Sequence, residues 1–264
     1  MRQRSTYTAF LAVVLCTLLC CAAILSAYRI AGIAHANGNY EAARWALRVA
    51  ATIGNAKAQN NLAGLYAEGL GGERNDVLAA KWFQRAADQG VTQAKFNLSN
   101  FYEEGKGVPR DTRRAVALLE SAASDGDIDA AFNLGNLYST GRDDFPKNVA
   151  IGIEWYRKAA DRGFASAQYN LGSIFARGAD VPKDLAEAGK WFTKAAQQGH
   201  AKAQLDLGTM LAYGLGFQAN VPQGLHWLRK AAGKPSTSVE ARERIEAICG
   251  GISNPQDPAP CLIP

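Results

Sequence analysis

Apolar residues recur along most of this chain at the spacing of an amphipathic helix. Within the segments that begin at Ala56 and Ala165, apolar side chains occupy positions i, i+4, i+7 and i+8, which lie on one helical face. A glycine closes each such segment and returns every 36 or 37 residues, at Gly69, Gly105, Gly141, Gly178 and Gly214. A fixed period of this length predicts stacked helical units and not a single globular core.

Each repeat predicts two helices, which we call helix A and helix B in chain order. Helix A ends at the recurring glycine, which adopts the left-handed conformation without steric cost. Before each helix B stands a preferred N-cap residue, namely Asn75, Asp111, Asn148, Asp184 or Asn220. A small residue in the middle of helix A predicts close approach of neighbouring helices, at Ala63, Ser99, Gly135, Gly172 and Gly208.

Tryptophan has a fixed place in helix B. It occurs at Trp82, Trp155, Trp191 and Trp227, and Leu118 takes this register in the second repeat. We expect these side chains, with aromatic residues of helix A, to fill the space between neighbouring units. The turn between the helices is rich in glycine, as at residues 69–72, and turn geometry explains this better than phosphate binding does.

The combined pattern is A-x-A-Q-[YF]-N-L-G-x-[LI]-[YF]-x-x-G, a short loop, and then A-x-x-W-[YF]-x-K-A-A-x-x-G. It resembles the Sel1-like repeat family, a branch of the tetratricopeptide-like helical solenoids. The resemblance covers residues 56–234, as repeats at 56–91, 92–127, 128–164, 165–200 and 201–234. It implies an all-α fold, a right-handed α-solenoid. The departures are the missing tryptophan in the second repeat, Asp206 in place of asparagine, and Pro235 in place of the last glycine.

The flanks of the repeats predict further helices. Residues 29–55 form a degenerate tetratricopeptide-like hairpin in this interpretation, and residues 235–264 form a polar cap helix followed by a proline-rich tail. Residues 1–28 hold Arg2 and Arg4 before an apolar stretch of residues 9–27, long enough for a transmembrane helix. This segment is either a retained signal anchor or a cleaved signal peptide.

Both interpretations of the leader place the repeats outside the cytoplasm. A retained anchor predicts a single-pass protein of a bacterial inner membrane with periplasmic repeats, and cleavage predicts a soluble periplasmic or secreted protein. The net charge of +5 drops to +2 from residue 37 onward, which gives no electrostatic case for nucleic acid binding. In an oxidising compartment Cys249 and Cys261 are natural disulfide partners, whereas in the cytosol they would be two free thiols.

Sequence motifs for catalysis are not found. There is no H-E-x-x-H, G-x-S-x-G or Walker-type sequence, and His35, His200 and His226 have no metal-ligand spacing with another His, Cys or acid. We therefore expect a protein that is not an enzyme and that needs no cofactor or metal.

Candidate binding residues follow from the family resemblance, because helix A lines the concave groove in tetratricopeptide-like solenoids. The positions expected in the groove are Lys57, Asn60, Glu68, Gln93, Phe96, Asn100, Glu103, Glu104, Asp129, Phe132, Asn136, Thr140, Ser166, Tyr169, Ser173, Arg177, Lys202, Leu205, Thr209 and Tyr213. Phe96, Phe132 and Tyr169 form an aromatic row that either anchors a ligand or packs between repeats. Asn61, Asn97, Asn133 and Asn170 bond backbone groups of an adjacent turn or repeat, clamp the backbone of an extended peptide, or do both.

These features predict an adaptor that binds a peptide or protein of unknown identity in the groove, held at the inner membrane by its N-terminal helix. One alternative is a binder of peptidoglycan fragments or an enzyme acting on them. Cysteine-rich relatives are linked to that role, but they carry a cysteine pair in each repeat, and the repeats here have none. The other alternative is a self-assembling structural module.

Overall fold

The computed structural model describes residues 26–142 and 144–251, and these residues are all-helical apart from one isolated bridge between Arg142 and Phe145. Residues 26–36 are helical and are labelled α1. The other helices are α2 Tyr40–Thr52, α3 Ala56–Glu68, α4 Asp76–Asp88, α5 Thr92–Glu104, α6 Thr112–Ser124, α7 Ile128–Thr140, α8 Val149–Asp161, α9 Ala165–Arg177, α10 Leu185–Gln197, α11 Ala201–Tyr213, α12 Val221–Ala232 and α13 Ser238–Gly251.

The chain divides into two compact units, Met1–Asp127 and Ile128–Pro264. In the first unit, α3 and α5 are the A helices and α4 and α6 the B helices. In the second unit, α7, α9 and α11 are A helices and α8, α10 and α12 are B helices, and each A helix packs against the B helix that follows it. The predicted helical repeats are therefore confirmed, and α1, α2 and α13 occupy the predicted flanks.

The predicted N-terminal hydrophobic segment lies almost entirely outside the described residues, as does the proline-rich tail after residue 251. Among the residues that the structure describes, no helix has both the length and the apolar character to cross a bilayer.

The start and end of the helices follow the predicted capping residues. The side chains of Asn75, Asp111, Asn148, Asp184 and Asn220 each accept a backbone N–H from three residues ahead, at 2.8–3.2 Å. A cap of this kind contributes about 1 kcal/mol. The closing glycines all have a positive φ, between 65° and 72°. These local predictions are confirmed because they depend on groups close in sequence.

The core of each unit is a column of leucines with alanines around it. The leucine at the centre of each A helix is 0–1% exposed, at Leu62, Leu98, Leu134, Leu171 and Leu207. Glycine in the middle of an A helix admits the ring of the following B helix. A Cβ placed on Gly172 would lie 2.6 Å from Cδ1 of Phe192, and one on Gly135 would collide with Tyr156. The predicted close approach of the helices is confirmed.

A second glycine in the A–B turn sets the spacing between repeats. Gly71, Gly107 and Gly216 have positive φ and lie against the backbone of the first residue of an earlier B-type helix, Tyr40, Asp76 and Leu185 respectively. A Cβ on Gly107 would lie 2.6 Å from the backbone nitrogen of Val77. The A–B turn of one repeat therefore contacts the backbone of the preceding B-type helix directly. Its glycines are needed for this close contact as well as for the conformation of the turn.

The predicted packing of the tryptophans is confirmed for Trp191, which is buried, and for Trp82 and Trp227, which are half-buried and pack against the hydrophobic core of their units. Trp155 is half-buried as well. In all four cases the basic side chain three residues later lies over the ring, at 3.6–4.7 Å from its centroid. This cation–π contact stabilises the part of the ring that is not packed against the core.

A buried glutamine links three helices in the first and fourth repeats, and the sequence pattern assigned it no role. Gln168 of α9 donates to the backbone oxygen of Ala160 at the end of α8, at 2.9 Å. Its own oxygen accepts from the side chain of Gln198 at the end of α10, at 2.7 Å. Gln59 makes the same two bonds with Ala51 and Gln89. We call this arrangement the glutamine brace.

The second repeat replaces the brace with an ion pair at the same register. Lys95 stands where the first, fourth and fifth repeats have glutamine and the third has Ala131, and its Nζ lies 2.6 Å from Oδ2 of Asp125. This bond lowers the pKa of Asp125. The link between helix A and its own helix B is therefore made by different side chains in different repeats, and Ala131 cannot make it in the third repeat.

Candidate functional site

The first unit has a cleft of about 450 Å³ between α1 and the A helices α3 and α5. Its walls are apolar near Leu47 and Leu65, which are part of the core. Its polar lining comes from Tyr28 and His35 of α1, Asn60, Asn61 and Glu68 of α3, and Asn97 of α5. Two glycines, Gly32 and Gly64, complete the surface.

A chain of hydrogen bonds crosses this cleft. The side-chain amide of Asn97 donates to Asn60 at 3.4 Å, Asn60 donates to Asn61 at 3.2 Å, and Asn61 donates to the hydroxyl of Tyr28 at 3.3 Å. Gln93 donates to the oxygen of Asn97 at 3.2 Å. The asparagines thus bond side chains of neighbouring helices, and the expectation that they bond backbone groups is wrong for Asn61 and Asn97.

The second unit has a cleft of about 410 Å³ between α9, α11 and α13. Tyr169, Ser173 and Arg177 line it from α9, and Asp206 and Thr209 from α11. Arg244 enters it from the cap helix, which the sequence did not connect with any site. Tyr169, Ser173 and Arg177 occupy the registers of Asn60, Gly64 and Glu68, so the two clefts are equivalent places on the repeat.

Arg244 organises the charges of this second cleft. Its guanidinium donates to the hydroxyl of Thr209 at 2.7 Å and lies 3.5 Å from Asp206 and 2.5 Å from Glu240. Burial raises the pKa of Asp206 above its ordinary value, and the positive charge of Arg244 opposes the rise. Burial also raises the pKa of the Tyr169 hydroxyl. The carboxylates of Asp206 and Glu240 are therefore both held by the guanidinium of Arg244.

The aromatic row is half-buried. The Phe132 ring packs on Phe164 at 4.9 Å between centroids, and the Tyr169 ring stacks on His200 at 4.6 Å. These contacts support the interpretation that the row packs between repeats, and a further role in binding stays a prediction. Phe96 is half-buried as well.

The remaining candidates are placed as follows. Leu205 was expected in the groove, but it is buried at 3% exposure in the core beside Leu225 and Leu228, so that prediction is wrong. Asn136 accepts hydrogen bonds from Tyr156 at 2.6 Å and from Asn170 at 3.3 Å. Exposed positions on the A helices that line neither cleft are Lys57, Gln93, Glu104, Asp129, Thr140, Lys202 and Tyr213, and half-buried ones are Asn100, Glu103, Asn133 and Ser166.

One of the two cysteines of the predicted disulfide lies in the described part of the chain. Cys249 of α13 is disulfide-bonded. Cys261 falls outside the described residues, so the pairing itself stays a prediction.

Comparison with known proteins decides the family. The model of the Sel1 repeat matches residues 56–91, 92–127, 128–164, 165–200 and 201–234, which is more than half of the chain. The chain belongs to the Sel1 repeat family. No curated protein sequence matches it significantly.

Two solved structures are similar to this Sel1 repeat protein over most of its length. One is a protective antigen present in uropathogenic Escherichia coli strains that displays an SLR fold, with 30% identity, a TM-score of 0.77 and coverage of 86% of this chain. Our chain spans only 48% of that protein. The other is a Sel1 repeat protein from Oxalobacter formigenes, with 27% identity, a TM-score of 0.68 and coverage of 90% of this chain and 92% of that one.

Sel1 repeats are generally scaffolds for protein interaction and typically have no catalytic activity. The chemistry of the two clefts agrees with this role. Hydroxyls, amides and single charges at the surface of A helices can form hydrogen bonds and ion pairs with a partner.

Replacing Asp206 with asparagine, which the other Sel1 repeats have at this register, should stabilise the chain more as pH rises. A raised pKa in the folded state means that ionisation of Asp206 costs more there than in the unfolded chain. The wild type therefore loses stability as pH rises through the folded pKa, and the variant does not. Urea midpoints from pH 4 to pH 7 measure the difference, and a gap that narrows with pH would contradict the argument.

Proposed function

We propose that this protein is a non-enzymatic adaptor at the bacterial cell envelope that binds a peptide or protein along the A-helix surface of its repeats. The main support is the pair of clefts at one register of the repeat, one in each unit. Each cleft is lined by side chains that can form hydrogen bonds, and its apolar walls are part of the hydrophobic core. A rigid wall with a few polar groups is the usual form of a recognition site.

The chemistry of the two clefts differs in charge. Glu68 stands at the rim of the first, and Arg177 takes the equivalent place in the second. Repeats of one fold that differ in charge at such positions are suited to selecting one partner sequence. An adaptor needs this kind of variation, whereas a structural spacer does not.

The envelope location rests on two observations. The apolar stretch of residues 9–27 follows two arginines, as in a signal anchor or signal peptide. Cys249 is disulfide-bonded, and disulfides persist mainly outside the cytoplasm. We propose retention in the inner membrane with the repeats in the periplasm.

Four substitutions on exposed A-helix positions, one of them in each cleft, test the adaptor proposal. The variant combines Lys57→Ala, Asn61→Ala, Arg177→Ala and Lys202→Ala, and its control combines Lys81→Ala, Glu154→Ala, Lys190→Ala and His226→Ala on exposed B-helix positions. Each surface change should alter stability by less than about 0.5 kcal/mol, so both should melt like the wild type. Tagged full-length chains are crosslinked in intact envelopes, and captured proteins are identified by mass spectrometry.

A partner that is recovered with the wild type and the control, and that drops by about tenfold or more with the A-helix variant, supports the adaptor. A partner lost only with the B-helix control places binding on the other side of the repeats and contradicts the proposal. Recovery of nothing but the chain itself favours self-assembly.

A further inference from the structure

At two positions that line the cleft of the first unit, the first repeat has smaller residues than later repeats have. Asn60 takes the register of Phe96, Phe132, Tyr169 and Leu205. Gly64 takes the register of Asn100, Asn136, Ser173 and Thr209. The first cleft therefore has less side-chain volume at these two positions than the cleft of the second unit has at Tyr169 and Ser173.

The glycines of this cleft have no packing reason. A Cβ on Gly135 or Gly172 would collide with an aromatic ring, but a Cβ on Gly64 would meet no atom within 4 Å. The same holds for Gly32 of α1, which also lines the cleft. Glycine within a helix is less stable than alanine, so two such glycines facing empty space indicate a space kept open for something else.

The amides of the cleft keep donors for a ligand. An amide NH₂ has two N–H groups, and the hydrogen-bond chain uses one from each of Asn60, Asn61 and Asn97. Each asparagine therefore has a second N–H that can reach a carbonyl oxygen. Peptide backbones offer such oxygens at regular spacing.

Glu68 gives the cleft its charge. It is the last residue of α3, where the helix dipole and the free carbonyls already carry partial negative charge, so a carboxylate is unfavourable there. At the same register, Glu104 of α5 forms an ion pair with Lys106 in its own turn. The residue equivalent to Lys106 after Glu68 is Leu70, so the first repeat does not supply that cation itself.

We propose that this cleft receives a lysine or arginine side chain of the peptide partner, with the aliphatic stem along Tyr28 and Leu65 and the cation at Glu68. The asparagines bind the backbone carbonyls on either side of that residue. This inference rests on the proposed adaptor function and specifies the chemistry of its ligand in the first unit.

Three blocked tripeptides, acetyl-Ala-Xaa-Ala-amide with Xaa as lysine, norleucine or glutamate, test the charge preference on the full-length chain. Binding is followed by NMR at the side-chain amide signals of Asn60, Asn61 and Asn97. We expect the lysine peptide to bind about threefold tighter than the norleucine peptide, as for an exposed ion pair, and the glutamate peptide to bind most weakly. Equal affinities, or no shift of these signals with the lysine peptide, would overturn the inference.

Two substitutions that fill the cleft test its location. Gly64→Asn and Asn60→Phe introduce residues that later repeats have at these positions. Each should weaken the binding of the lysine peptide by about tenfold or more. The melting temperature should stay equal or rise for Gly64→Asn, because asparagine is a better helix former than glycine. Gly250→Ala in α13 is the matched control, since it also adds a side chain where no atom lies within 4 Å, and it should bind like the wild type.

The substitution Glu68→Gln removes the negative charge of the cleft and keeps its shape. It should remove the preference for lysine over norleucine, leave the norleucine affinity unchanged, and leave the melting temperature equal or higher. Retention of the lysine preference would contradict the role of Glu68.

Failure of this inference can be told from failure of the adaptor proposal. If the Gly64→Asn chain captures the same envelope partner as the wild type while the A-helix variant loses it, the cleft assignment is wrong and the adaptor stands. If the tripeptides bind as expected but no envelope partner is captured, the cleft assignment stands and the adaptor proposal fails.

Discussion

Replacing Gly107 with alanine should destabilise the chain by about 3 kcal/mol, whereas the same change at Gly105 should cost about 1 kcal/mol. Both glycines have nearly the same positive φ, +65° and +69°, so an alanine is strained equally at either position. They differ in their surroundings. A Cβ on Gly105 would lie no closer than 3.5 Å to Arg110, but one on Gly107 would press on the backbone of Asp76 and Val77.

Urea unfolding of the two variants measures this difference. The Gly105→Ala chain is the control for backbone strain, and the excess destabilisation of Gly107→Ala reports the contact between neighbouring repeats. Equal midpoints for the two variants would show that the turn can move away from α4 and that the contact is not needed for stacking.

Replacing Gln168 with methionine should cost about 2–3 kcal/mol, and the equivalent change at Gln204 about 1 kcal/mol. Gln168 donates to the carbonyl of Ala160, which also accepts from the backbone N–H of Gly163, and it accepts from Gln198. Gln204 makes only the first kind of bond, with Ala196 at 3.1 Å, and its buried side-chain oxygen has no donor among the described residues. Methionine at Gln204 removes that unsatisfied oxygen as well as the bond, so its net effect is smaller.

The melting temperatures of both variants test this ranking. A double-mutant cycle with Gln198→Ala isolates the bond between the two glutamines. A Gln204→Met variant that is as unstable as Gln168→Met would mean that the brace acts only through the carbonyl of the preceding helix.

The candidate site was predicted in part. Helix A positions such as Asn60 and Glu68 could be named from the repeat, because they vary while their neighbours stay apolar. Tyr28 and Arg244 could not, because they come from helices outside the repeats and reach the clefts only through tertiary packing. The recurrent glutamine of A-x-A-Q was a signal for the brace, since a polar residue on an apolar face needs a buried partner.

Leu205 shows where a prediction from the repeat register fails. It shares its register with half-buried aromatic residues, but it lies at the end of the repeats, where α12 and α13 enclose it. The register was right, and the neighbours that decide the burial of Leu205 were not visible in the repeat.

The amino-acid sequence by itself determined the helices, their caps, their terminal glycines and the period of the repeats. These depend on interactions within a few residues, so a pattern of 36 or 37 residues contains them completely. Only the tertiary structure decided which A-helix side chains face open space, which polar groups bond across helices, and how α1 and α13 complete the clefts. Those properties depend on the distance between atoms far apart in the chain, and in a stack of repeats that distance is set where one turn rests on the backbone of the repeat before it.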